Sequence, residues 1–141
     1  MIQRIQTVYL VLGAVVLGAL VFFGVVWEGA AATAQGWFTP VVVLFDGLAA
    51  AVAVGAVFLY KNRPRQRKVI VVAQVLTIML LITFCGGLYL VDVLSIRTSQ
   101  GLDVGMLVAL LLPIVAYVLF LLARRAVEKD IERVRSMDRL R

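Results

Sequence analysis

Residues 43–60, VLFDGLAAAVAVGAVFLY, decide the class of this chain. Apart from Asp46 the stretch is apolar or small throughout, and it extends back to Val41. The run 41–60 therefore has the roughly 20 residues that carry a helix across a hydrocarbon core. Three more runs match it, at 7–26, 69–90 and 104–123. A soluble domain holds about 45–50% apolar residues. Here the figure is 63%, with a mean hydropathy of +1.04, more than 141 residues can hide from water. Membrane barrels need alternating segments of about 10 residues, whereas these runs are apolar on all sides.

The pattern predicts an all-α membrane protein, a four-transmembrane-helix antiparallel up-and-down bundle over 1–123, followed by a charged cytoplasmic helical extension over 124–141. The first run exceeds the about 7–15 apolar residues of a signal peptide, so it is expected to be a span. Short connections favour neighbouring helices packing in sequence order.

Cationic loops resist translocation. Residues 61–68 hold five cations and no acid, residues 124–141 hold seven, and Arg4 precedes the first run. Thirteen of the fourteen Lys and Arg residues thus gather on one side, which predicts a multi-pass protein with both termini in the cytoplasm. Trp27, Trp37, Phe38 and Tyr89 mark the opposite interface, where aromatic rings are comfortable.

Lipid tails are as apolar as Leu, so spanning helices associate through close backbone approach. Gly47, Ala51 and Gly55 at four-residue spacing predict that the second helix packs centrally, by contacts within the bundle or between chains. Gly13 or Ala14 with Gly18, and Gly86 with Gly87, offer weaker versions of the same device. Pro113 removes a hydrogen bond inside the fourth helix and predicts a bend.

An acid at a helix centre costs about 2.5–3.5 kcal/mol. Asp46 lies five residues past Val41, roughly 7–8 Å below the outer edge at about 1.5 Å per residue. The eleven Val, Leu and Phe residues of 41–60 return roughly −3 to −7 kcal/mol, so the helix tolerates its carboxyl. The acid reads as a hydrogen-bonded structural group, as a contact with another subunit, or as a handler of protons or cations.

Past Ala123, charged pairs at helical spacing (Arg124 with Glu128, Asp130 with Arg133, Glu132 with Arg135, Asp138 with Arg141) support continued helix at about 0.2–0.5 kcal/mol each. Val127, Ile131 and Val134 add a narrow apolar stripe. Arg63, Arg65, Arg67 and Lys68 of the central loop, with Arg135, Asp138, Arg139 and Arg141 of the tail, are the candidate contacts for a partner or anionic lipid.

Absences limit the chemistry. Without His, imidazole metal sites, axial His ligation of haem and His acid–base catalysis are excluded. A single Cys85 forms no intramolecular disulfide, and no phosphate loop or nucleophile motif occurs. No enzyme activity, no cofactor, no metal and no nucleic acid partner is expected. The expected partners are membrane lipid and either another membrane protein or a second copy of the chain.

The start MIQRIQTVYL, with Arg125, Ala126, Lys129, Asp130, Val134, Arg135, Ser136 and Asp138 to Arg141 near the end, resembles a bacterial family of small four-helix inner-membrane proteins, domain of unknown function 4293. Ile131 stands where that family pattern often has an acid. The resemblance implies residence in the bacterial inner membrane and a functional tail, and it brings no activity, cofactor or catalytic residue. Three roles stay open: an accessory or scaffolding subunit of a larger membrane assembly, a small oligomeric proton- or cation-linked transporter or channel using Asp46, and an anionic-lipid-binding membrane organiser.

Overall fold

The computed structural model describes residues 2–92, 97–98, 101–102 and 104–138. The elements are α1 (Ile2–Leu20), α2 (Gly24–Trp27), α3 (Ala30–Ala34), α4 (Phe38–Phe58), α5 (Arg63–Leu90), the two-residue strands β1 (Arg97–Thr98) and β2 (Gly101–Leu102), and α6 (Val104–Asp138). The strands pair antiparallel, Arg97 opposite Leu102. Helix α1 packs on α4 and α6, and α5 packs on the same two helices.

One spacing rule builds the interior. Buried positions recur every three or four residues in each long helix: 6, 10, 13, 17 and 20 in α1; 38, 42, 46, 49, 53 and 56 in α4; 66, 70, 73, 77, 80, 84 and 87 in α5; 106, 109, 113, 116, 120, 123 and 127 in α6. Alternating steps of three and four keep a seam on one face of a 3.6-residue helix.

Two rings lock these seams together, each against a glycine. Phe120 of α6 lies on Gly13 of α1 so closely that a Cβ there would collide with the ring. Phe38 of α4 occupies the same kind of space at Gly87 of α5. Phe38 also stacks on Phe84 with centroids 5.8 Å apart, a contact worth about 0.5–1.5 kcal/mol beyond its burial. Phe38 is therefore a fully buried core anchor, not the interfacial ring that its neighbour Trp37 suggests.

The expected four-span bundle with a separate cytoplasmic extension is corrected at both ends. Among the described residues three unbroken helices are long and apolar enough to cross a membrane: Phe38–Phe58, Arg63–Leu90 and Val104–Val134. The first predicted span, 7–26, is not one helix. It breaks after Leu20, and only Ile5–Leu20 together with Gly24–Ala34, bent by 57°, is long and apolar enough to cross. Phe23 turns extended (φ −84°, ψ 129°) ahead of α2. Carbonyls at these helix ends find side chains: the Trp27 indole donates to the Val21 carbonyl beside the break at 2.7 Å, and the Thr39 hydroxyl to the Val26 carbonyl at the end of α2 at 2.7 Å. Such partners are what a helix end away from water requires.

At the other end α6 runs unbroken from Val104 through Pro113 to Asp138, so the apolar span and the charged residues form one helix. Its buried seam continues past Ala123 to Val127, and Ile131 packs against the core. The segment 61–68 is likewise mostly helix. Helix α5 starts at Arg63, with the Asn62 side chain accepting the Arg65 N–H at 3.4 Å and Pro64 in the first turn. Both features favour a helix start, and an apolar-run criterion overlooks polar turns of this kind.

Candidate functional site

Asp46 belongs to the inward seam of α4 and is 2% exposed. Its Oδ1 has no hydrogen-bond partner. Two anchors fix what lies opposite. Phe38 meets Phe84, and the Gln66 side-chain amide donates to the Ala56 carbonyl at 3.1 Å. The intervals 38–56 and 66–84 are equal, so α4 and α5 run antiparallel with Asp46 level with residue 76. Gln74 and Thr77, both buried, flank that level. The interior therefore holds a polar layer of Asp46, Gln74 and Thr77. Thr77 donates its hydroxyl proton to the Ala73 carbonyl of its own helix at 2.8 Å. A hydroxyl has one proton, so Thr77 has none left for the acid. The burial also places Asp46 away from any surface offered to another subunit.

Gly47, Ala51 and Gly55 do not serve the bundle interior. Gly47 and Ala51 are exposed and Gly55 is half-buried. A Cβ added at Gly47 or Gly55 would meet nothing within 4 Å. The face that packs inside is Ala49, Ala53 and Ala56, all fully buried. At about 100° per residue the two sets point in opposite directions. The backbone-exposing stripe faces outward, which among the two expected kinds of contact leaves it free for one between chains. Of the weaker candidates, Gly13 and Gly87 are the close-packed ones, and Gly18 and Gly86 have open space beside them.

The cationic candidates divide. Arg63 Nε lies 3.0 Å from Asp130 Oδ2, an ion pair by distance without hydrogen-bond alignment. Arg67 and Arg124 both donate to Glu128 Oε1, at 2.7 and 3.0 Å. Asp130 is thus taken by Arg63 of α5 and not by the expected Arg133. These pairs clasp the start of α5 to α6 and hold the charged end of α6 against the bundle. Arg65 and Lys68 are exposed and join no ion pair among the described residues. Arg135 and Asp138 lie on the last turns of α6, and Arg139 and Arg141 fall outside the described residues.

Sequence reasoning overlooked Gln66, which is buried and caps the carbonyl of Ala56. A signal was present. Gln66 falls in the same three-four phase as Ile70, Ala73 and Thr77, although it sits among arginines. Among the described residues no group of three or more His, Cys, Asp or Glu side chains is placed to hold a metal ion.

A family model described as a domain of unknown function, DUF4293, matches residues 2–140. The chain belongs to the DUF4293 family. No curated protein and no solved structure matches it. DUF4293 membership covers nearly the whole chain, so the clasp, the polar layer and the outward stripe all lie inside the family region. The DUF4293 chain is a small, multi-pass membrane protein in contact with lipid.

Proposed function

We propose that this protein is a non-enzymatic accessory or scaffolding subunit that binds another membrane helix through the outer face of α4. One observation carries the reading: Gly47, Ala51 and Gly55, the residues that permit close backbone approach, are turned away from the bundle. In lipid, where apolarity alone does not drive association, a smooth small-residue face is what a second helix packs on. The absence of His from the sequence supports a role without acid–base or metal chemistry. The cation distribution supports residence in the bacterial inner membrane with both termini and the basic clasp in the cytoplasm.

The test is purification of the full chain in mild detergent. A defined complex is expected, with another membrane protein or with a second copy. Gly47→Leu with Gly55→Leu is expected to release the partner and leave the fold intact, because both positions open onto free space. A solitary wild-type monomer in every mild detergent overturns the reading. A reporter fused beyond Arg141 that proves periplasmic overturns the orientation.

A proton- or cation-linked transporter is the second reading, favoured by the buried layer of Asp46, Gln74 and Thr77. Intramembrane acids that face a bundle interior mark ion pathways in many transporters. It requires pH-dependent flux in vesicles that Asp46→Asn abolishes.

A further inference from the structure

Two grooves open between the first turns of α5 and the charged end of α6, with volumes of about 420 and 390 Å³, and they share Pro64 and Ile131. Arg67, Lys68 and Val71 complete the first, and Lys61, Arg63 and Val134 the second. Each surrounds an apolar floor with two cations and has no carboxylate in its wall. A third hollow nearby, about 470 Å³, is charge-balanced, with Glu128 and Glu132 beside Arg67 and Arg124.

We propose that the 420 Å³ groove between α5 and α6 seats an anionic phospholipid, its phosphate held by Lys68 and Arg67 and its first acyl carbons lying on Val71, Ile131 and Pro64. Charge complementarity identifies the occupant's head. Five cations occupy residues 61–68, while among the described residues α6 offers this segment Glu128, already shared by two guanidiniums, Asp130, paired with Arg63, and Glu132, which lines the charge-balanced hollow beside Arg67. The first turn of α5 has no acid of its own to face the positive end of its dipole. The floor identifies the rest. A soluble anion gains from the cations and nothing from Val71, Ile131 and Pro64, whereas a phospholipid gains from both. Val71 also lies at the start of the apolar run of α5, where acyl chains begin. The volume is within the about 300–1,000 Å³ of small-molecule sites. The proposal stands apart from the α4 docking face and survives or fails without it.

Native mass spectrometry of the full chain, released from micelles containing equimolar phosphatidylglycerol and phosphatidylcholine, tests it. The expected result is a one-lipid adduct at least about tenfold enriched in phosphatidylglycerol. Lys68→Gln is expected to lower that enrichment about fivefold, the weight of one basic residue near a surface. Ile131→Glu, which puts a carboxylate in the floor, is expected to abolish it. Lys129→Gln removes an exposed cation of the same end that lines neither groove, and it is expected to change nothing. Lys68 is exposed, so its variant keeps the test valid if Ile131→Glu misfolds. Equal binding of the two lipids, an equal loss on Lys129→Gln, or displacement of the adduct by 10-fold excess inorganic phosphate overturns the proposal.

Discussion

The two faces of α4 are made of nearly the same material and do opposite things. Inward, Ala49, Ala53 and Ala56 are fully buried and Asp46 almost so. Outward, Gly47 and Ala51 are exposed beside Leu44 and Leu48, which are 56% and 46% exposed. Both faces carry small residues at near-four spacing, so composition does not distinguish them. The inward choice belongs to Phe38, whose ring fills the space over Gly87 and stacks on Phe84. A small-residue motif names a face that permits close approach, and large neighbours on other helices choose which such face is used.

Filling the inner contact has the largest expected effect. Gly87→Val puts a side chain where the Phe38 ring lies. A cost of about 1–3 kcal/mol or more is expected from overpacking, read as an earlier loss of the monodisperse peak on heating in detergent. Unchanged melting would mean that Phe38 does not anchor α4.

Next in size is Asp46→Asn. The substitution keeps the side-chain volume and removes a buried acid whose Oδ1 has no partner. A gain of about 1–3 kcal/mol is expected, because a neutral amide costs less to bury than an ionisable carboxyl. A loss of stability instead would assign the carboxyl a bonding role in the polar layer.

Arg63→Gln cuts the α5–α6 clasp at Asp130. Partly exposed ion pairs contribute about 0.2–1 kcal/mol, so a small destabilisation that shrinks further at high salt is expected. Salt independence would argue against an electrostatic clasp. The smallest expected effect on stability is that of Gly47→Leu on the outer face, within about 0.5 kcal/mol of wild type, although the same change removes the partner. Destabilisation comparable to that of Gly87→Val would show that the outer stripe is packed within the chain after all.

The spans were legible to different depths. Apolar runs at 41–60, 69–90 and 104–123 correspond to Phe38–Phe58, Arg63–Leu90 and Val104–Val134, because hydropathy is a property of each residue and adds along a window. The ends were less legible. Residues 61–68 look like a loop to any apolar criterion, yet Asn62 and Pro64 already spell a helix start, and Gln66 is in phase with the buried seam. The break after Leu20 had no comparable signal. Trp27 caps a carbonyl beside it and Thr39 one at the end of α2, and neither contact is local in a helical pattern.

The sequence alone determined that this chain lives in a membrane and that most of its cations collect at residues 61–68 and 124–141. It also placed one carboxyl, Asp46, within a membrane span. Those conclusions rest on transfer energies and charge, which each residue carries wherever it sits. Tertiary structure alone decided that Asp46 turns inward, that the Gly47 stripe turns outward, and that Arg63 and Arg67 meet acids some sixty residues away on α6. Facing and pairing depend on the shapes of side chains brought together from distant parts of the chain, and no single window contains both partners.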